Sequence, residues 1–266
     1  HRIRRNGRLI EVGGMKVPLQ FKIMEPCDVL RHRNDEEPIR KEVKLIRTRL
    51  GAYYLLVPIE MDVRSAPQSN SFICALDPGC RTFQTVYGTD GNVAHVGTDF
   101  HACLNDLKKA DDLQSARAHL STSLKRRRYR YRIRRCFERV RNRVRDLHHK
   151  VAKWLTETYR VIILPKFKSQ DMVGKCTLRS RTCRKLLTWS HYTFQQRLLE
   201  KAHRMGVKVL IANESYTSMT CGECGHLHEK LRSAKHFSCP RCDFECDRDV
   251  NGARNILLRA LPHILD

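Results

Sequence analysis

The feature that most restricts this chain is a pair of cysteine knuckles near its carboxyl end, Cys221-Gly222-Glu223-Cys224 and Cys239-Pro240-Arg241-Cys242. Two CxxC turns joined by one short loop present four thiolates to a single point, as tetrahedral Zn²⁺ requires. Four sulfur ligands leave no open position for a water nucleophile, so the pattern predicts one structural Zn²⁺ and no chemistry at the zinc. A redox reading of a single CxxC is the weaker one, because the two knuckles come as a set with Gly and Pro inside them. The remaining cysteines, Cys27, Cys74, Cys80, Cys103, Cys136, Cys176, Cys183 and Cys246, are scattered and follow no export signal. They read as reduced, buried small hydrophobes and not as a disulfide framework.

Charge narrows the class of partner. Fifty-one Lys plus Arg stand against 28 Asp plus Glu, a formal charge of +23, far beyond what solubility requires and expected of a surface facing polyphosphate. From about Ala102 the pattern turns helical. Ile133, Phe137, Val140, Val144, Leu147, Val151 and Trp154 recur at spacings of four and three, which predicts one long helix with an apolar seam. Its other faces carry Lys125, Arg126, Arg127, Arg128, Arg130, Arg132, Arg134 and Arg135, with Tyr129 and Tyr131 interleaved, and continue to Arg139, Arg141, Arg143 and Arg145. A charge run is often only a solvated face. Here acidic partners one helical turn away are nearly absent, so the arginines repel one another unless an external anion neutralises them, and Lys125 to Arg135 are expected to contact nucleic acid. No apolar run approaches a membrane span, so no membrane partner and an intracellular chain are expected.

The rest of the chain reads as alternating strands and helices. Arg8 to Val12 and Met15 to Ile23 flank a Gly13-Gly14 turn, and Val43 to Arg47 and Tyr53 to Ile59 flank Leu50-Gly51, which predicts two hairpins belonging to part of a small β barrel. Strands follow at Phe72 to Gly79, Phe83 to Tyr87 and Val93 to Val96. After the long helix come a strand at Val161 to Leu164, a helix from Thr188 to Arg204 closed by Gly206, a strand at Val207 to Ile211 and a helix from Asp249. The order βββαβαβ matches an α/β fold, a ribonuclease H-like mixed sheet with a long basic helical segment, the type that the resemblance given below identifies as RuvC-like. The expected divisions are a partial barrel over 1–71, a sheet core with basic helical insertion over 72–215, a zinc ribbon over 216–246 and a closing motif and helix over 247–266.

Such a sheet suggests a chemistry. Two-metal phosphodiester hydrolysis needs carboxylates that converge on a pair of hard divalent ions. Asp77 ends a strand, Glu214 lies just past the strand Val207 to Ile211, and Asp249 opens the last helix. Two strand ends and a helix start can meet at one sheet edge, where they would bind two catalytic Mg²⁺. Taken singly, each acid is better read as an ordinary strand end or helix cap, and only the combination is informative. Trp189 and Tyr192 are candidate base-stacking residues, although their helical spacing fits a core role better.

Ala75-Leu76-Asp77-Pro78-Gly79, the run Tyr216-Thr217-Ser218-Met219-Thr220 leading into the first knuckle, and Asp247-Arg248-Asp249-Val250-Asn251-Gly252-Ala253-Arg254-Asn255-Ile256 together resemble the signature of transposon-encoded TnpB nucleases. The resemblance runs from about residue 40 to the end. It implies an RNA-guided DNA endonuclease related to type V CRISPR effectors, with guide RNA and target DNA as partners, one protein per guide RNA, and a RuvC site interrupted by a zinc ribbon. It also implies that the first catalytic aspartate is Asp77 and the last is Asp249, in preference to Asp247. The chain departs from the common pattern after Val161 to Leu164, where Pro165 stands in place of the family's glutamate. In the Fanzor branch and its closest TnpB relatives that glutamate is moved to the next strand, just before Tyr-Thr-Ser, and Glu214 occupies this position. Leu164-Pro165-Lys166-Phe167 and Asp171-Met172-Val173 are similar to the same branch, which implies a nuclear protein if the host is a eukaryote or virus and a cytoplasmic, nucleoid-associated one if it is a bacterium. A competing reading is a truncated, inactive RNA- and DNA-binding zinc-ribbon protein of transposon origin. It draws on the start at His1 and on the little recognition region visible before residue 70, as expected of a fragment.

Overall fold

The computed structural model describes residues 44–56, 63, 72–167, 169–174, 178–213, 215–229, 231 and 234–265, together with the strands β1 (Leu9–Val12) and β2 (Met15–Pro18). The chain divides into two compact units, His1–Met61 with Leu113–Arg135, and Asp62–Asp112 with Cys136–Asp266.

In the first unit β1 and β2 pair antiparallel, Leu9 opposite Pro18 and Val12 opposite Met15. The strands β3 (Lys44–Arg47) and β4 (Tyr53–Leu56) form a second antiparallel hairpin. Its turn needs Gly51, whose φ of 89° lies in the left-handed region, and Thr48 Oγ1 accepts from Ala52 N at 3.0 Å. Among the described residues these are two separate two-stranded sheets, so the expected barrel is represented there by its hairpins alone. Leu113–Arg135 groups with these hairpins and not with the second unit, a division the hydrophobic pattern did not indicate. One tie is visible: Arg134 Nη1 donates to Arg49 O at 3.1 Å.

The second unit is built on a five-stranded sheet of β5 (Ile73–Pro78), β6 (Gln84–Gly88), β7 (Val93–Val96), β8 (Val161–Pro165) and β9 (Lys208–Ala212), ordered β7-β6-β5-β8-β9. The first three pair antiparallel, while β5, β8 and β9 run parallel. This is the ribonuclease H-like (RuvC) mixed sheet that the element order predicts.

Helices cover both faces, and strand alternation decides which residue meets which helix. Cys74 and Leu76 of β5, with Ile162 and Leu164 of β8, enter the main core with α1 (His101–Ala118), α2 (Ser123–Thr158), α4 (Ser180–Trp189) and α5 (His191–Arg204). Ala75 and Ile163 point the other way, onto Ile256, Leu257 and Ala260 of α6 (Arg248–Ala260). Leu76, Ile162 and Ile163 are wholly buried, and each such side chain contributes about 1.5–3 kcal/mol. Ile163→Ala would open a cavity between sheet and α6 at a cost of about 2–5 kcal/mol.

At 36 residues α2 is about 54 Å long. Its seam is buried through Ile133, Val140, Val144, Val151 and Leu155. The single helix expected from Thr188 to Arg204 is instead two. Ser190 adopts φ 51°, a left-handed conformation, and the chain turns there between α4 and α5. Hydrophobic periodicity runs through such a break, because Trp189 and Phe194 are both buried on either side of it. The short α3 (Ser169–Gly174) follows β8, and α7 (Pro262–Leu265) follows α6. Among the described residues no helix is long and apolar enough to cross a membrane.

Candidate metal centres and nucleic-acid interface

The cysteines form the tighter of two candidate centres. Sγ atoms of Cys221, Cys224, Cys239 and Cys242 all lie within 4.8 Å of one another. The pairs Cys221–Cys242 and Cys224–Cys239 are 3.7 and 3.6 Å apart. A tetrahedron with Zn–S bonds of about 2.3 Å has edges of about 3.8 Å, so the residues present fit the ion expected from their spacing. Each knuckle turns an amide onto its first sulfur, Glu223 N on Cys221 Sγ and Arg241 N on Cys239 Sγ, both at 3.4 Å. Burial alone would raise the Cys239 thiol, but the amides of Arg241 and Cys242 and the Cys242 and Cys224 thiols bring it down to about 7. The Phe244 amide lowers Cys242, but burial and the neighbouring thiols push it up to about 12. Beneath the cluster β10 (His236–Ser238) pairs with β11 (Glu245–Asp247), and Leu231 and Phe237 make a small core of their own.

The second centre lies where β5 meets α6. Asp77 stands two residues after Ala75 and so faces α6; it pairs across the sheet with Thr85, which in turn pairs with His95. Thr85 Oγ1 and His95 Nδ1 are 3.3 Å apart, so a row of three polar side chains crosses the strands on one face. Asp247 caps α6, its Oδ1 accepting from Asp249 N at 2.8 Å, and Asp249 falls in the first turn. One turn further on, a Cβ on Gly252 would sit 2.7 Å from Asp77 Oδ2. The Asp77 carboxylate therefore packs against the helix at the one residue that gives it room, beside the turn that carries Asp249. A glycine in mid-helix costs about 0.5–1 kcal/mol against alanine, and this contact is the reason it is there. Burial raises the Asp249 carboxyl, the charge of Asp247 raises it further, and Arg248, Arg81 and His95 oppose both.

The third acid, Glu214, lies outside the described residues. What surrounds it is informative. Continuing the β5–β8 register from Ala75 opposite Ile163 brings Pro165 opposite Asp77, and Pro165 pairs with Ala212 on β9. Asn213 Oδ1 accepts from Ser215 N at 3.0 Å and from Ser215 Oγ at 2.7 Å. Among the described residues only the cysteines form a cluster of three or more metal-ligand side chains.

The two centres are joined through α6. Asn251 Oδ1 accepts from Gly222 N at 3.0 Å, and its Nδ2 donates to Thr220 O at 2.7 Å. Asn255 Nδ2 donates to Thr217 O at 2.8 Å and to Thr220 O at 2.7 Å. Both side chains are buried.

Lys125, Arg126, Arg127, Arg128, Arg130, Arg132, Arg134 and Arg135 are all exposed, and among the described residues none forms an ion pair with a carboxylate. Arg132 lies over the Tyr129 ring at 5.3 Å. The arginines beyond them differ. Arg139 and Arg143 both bind Asp106, which α1 brings alongside α2, and Arg141 binds Glu138. Spacing within one helix could not reveal an acid supplied by its neighbour. Trp189 is buried against Phe83 and Phe100 and is a core residue, whereas Tyr192 is 69% exposed and remains available for stacking. Sequence reasoning assigned no role to Arg81 or His95, nor to Asn251, Gly252 and Asn255, although the last three stand in the quoted closing motif.

Known proteins share these features. Residues 56–175 match the family model OrfB_IS605, described as "Probable transposase", and residues 191–256 match the "Cas12f1-like, TNB domain". The chain is 36% identical over 223 residues to "Putative transposase A625R" of Paramecium bursaria Chlorella virus 1, covering 83% of this chain and 50% of that one. It is 26% identical over 243 residues to "Putative RNA-guided DNA endonuclease InsQ" of Escherichia coli K12, covering 86% and 59%. It spans about half the length of the curated relatives it matches. In fold it is similar to a Cas12f1 structure solved with sgRNA and target DNA, at a TM-score of 0.51 and 17% identity over 80% of this chain and 55% of that one.

Proposed function

This chain belongs to the TnpB/IS605 transposase family and carries its Cas12f-like TNB domain, and from that premise we propose that it is the nuclease portion of an RNA-guided DNA endonuclease of transposon origin. The observation that carries the reading is the corner where Gly252 admits the Asp77 carboxylate beside the turn bearing Asp249. Asp77, Asp249 and the relocated Glu214 would hold two Mg²⁺, which when bound supply an activated water and neutralise the leaving oxygen of a phosphodiester. Carboxylate oxygens suit such hard ions. The chain's own part is positional. Gly252 and the Asp247 cap fix the two aspartates, while Arg248, Arg81 and His95 act on the Asp249 carboxyl against the effect of its burial.

The four cysteines would hold one Zn²⁺ that sets the ribbon and, through Asn251 and Asn255, the register of α6. The exposed run Lys125 to Arg135 would neutralise phosphates of the guide RNA and target DNA, with sequence choice left to base pairing. Pro165, which stands where the common family pattern has its glutamate, favours a second reading, a protein that binds RNA and DNA without cutting.

The deciding experiment is cleavage of a labelled target DNA in Mg²⁺ by the chain copurified with its RNA, beside Asp77→Asn, Asp249→Asn and Glu214→Gln, with binding scored in parallel. The endonuclease reading expects the parent to cut and all three variants to bind without cutting. A Glu214→Gln variant that cuts like the parent would remove Glu214 from the site, and a parent that binds but never cuts would establish the second reading.

A further inference from the structure

The second unit has a basic concavity on the sheet face opposite α6. It is a cleft of about 460 Å³ between α1, α2, α4 and α5, within the range that binds small organic groups. Its floor is apolar, formed by Phe137, Val140, Val144 and Leu187, and Leu187 is 54% exposed. Arg141, Arg145, Arg184 and Arg197 ring it.

Two of these arginines are answered within the protein, Arg141 by Glu138 and Arg184 by both oxygens of Asp111. The other two are not. Among the described residues Arg145 and Arg197 form no ion pair with a carboxylate; Arg145 Nη2 donates to Asn142 Oδ1 at 2.6 Å, and Arg197 Nη1 donates to His148 Nδ1 at 2.9 Å. His148 is fully buried, with Nε2 2.9 Å from Trp189 O. Burial pushes its pKa down to about 3, so it is neutral and offers Arg197 an acceptor without a balancing charge. The Arg197 guanidinium is itself disfavoured by burial and by Arg145, which Glu200 only partly offsets. A buried imidazole thus pins one cation near another above an apolar floor, an arrangement that an anion relieves. Asn142, Thr188 and Thr193 add neutral hydrogen-bonding groups to the wall.

We propose that this cleft receives one unpaired nucleotide of an RNA strand, its base on the floor against Phe137, its phosphate between Arg145 and Arg197, and its ribose 2′-hydroxyl at Asn142 and Thr193. Paired duplex bases have no free face for an apolar floor, whereas unpaired RNA bases are read by such splaying and stacking. The neutral groups beside the cations suit the hydroxyl that separates RNA from DNA. The inference rests on the RNA binding proposed above and not on cleavage.

The test is fluorescence anisotropy of the full chain with a 12-nucleotide oligouridylate and a length-matched oligothymidylate across a NaCl series. Two variants avoid the core: Arg145→Gln, whose one side-chain bond lies on its own helix, and Leu187→Glu, which puts a carboxylate on the exposed part of the floor. Each is expected to weaken oligouridylate binding about tenfold with an unchanged thermal midpoint, and to leave oligothymidylate binding as it was. Arg145→Gln should also flatten the RNA salt slope by about 0.7. If one variant loses stability, the other decides. Unchanged RNA affinity in a folded variant would overturn the proposal, and equal losses on RNA and DNA would overturn the assignment to RNA. A parent that binds RNA but never cuts removes the endonuclease reading and leaves this one; a parent that cuts while both variants keep full RNA affinity removes this one alone.

Discussion

The cysteine cluster and the carboxylate corner are both candidate cation sites, yet they are assembled in opposite ways. All four thiols come from one stretch between Cys221 and Cys242, shaped by two tight turns and a three-residue hairpin with its own small core. The carboxylates come from β5 and α6, near opposite ends of the second unit in sequence, and meet only because a five-stranded sheet holds them there. The first site stands on local turns and the second on long-range topology. Damage to one should therefore differ from damage to the other in kind as well as in size.

The largest effect is expected at the ribbon. Cys221→Ser or Cys239→Ser should release zinc, measured by native mass spectrometry or elemental analysis, and lower the thermal midpoint by about 10 °C or more, since metal binding and folding are one process in such a module. A variant that kept full stability without zinc would end the structural-metal reading. Gly252→Ala acts on the other site without touching a ligand. The added methyl meets Asp77 Oδ2 at 2.7 Å, so helix or carboxylate must move, at about 1–3 kcal/mol. Zinc content should stay whole while DNA cleavage collapses; parent-like cleavage would mean that the corner tolerates displacement and that the contact has no role. Asn255→Ala tests the link between the sites. It removes one donor from each of the Thr217 and Thr220 carbonyls, of which Thr220 keeps Asn251 Nδ2, for about 1 kcal/mol, and should slow cleavage with zinc retained.

The smallest effect serves as a control on both. Arg139 and Arg143 hold the Asp106 carboxyl below its ordinary range against the opposing effect of burial. A depressed folded pKa contributes stability that is fully present above the unfolded value of about 3.9 and is lost as pH falls through the folded value. Between pH 7 and 5 Asp106→Asn should thus lower the midpoint by a few degrees at constant offset, and the gap to the parent should close only below about pH 4. A gap that closed near neutrality would point to some other group. Neither zinc content nor metal-dependent cleavage should follow it.

The same contrast explains what could be read from the letters. The cysteine site was legible because its spacing is its geometry. Strand ends and the order βββαβαβ were legible because apolar alternation and turn residues are local, and they placed Asp77 at a strand terminus as the structure does. The face on which Asp77 lies was not legible until the register and α6 were known. The break at Ser190 was hidden because apolar periodicity runs through it, and the grouping of Leu113–Arg135 with the hairpins and the pairing of Arg139 and Arg143 with Asp106 because each depends on a neighbour distant in sequence.

The way α6 fastens the ribbon has a consequence for how such chains diversify. On the way in, Asn255 holds Thr217 and Thr220 while Asn251 holds Gly222; on the way out, β11 runs straight into the Asp247 cap. The excursion is tied off at its base. Lengthening the loop between the knuckles then costs only the slowly growing entropy of closing it, about 0.6 kcal/mol per doubling. Selection can enlarge, trim or exchange that loop as a separate part while Asp249 keeps its place on the sheet.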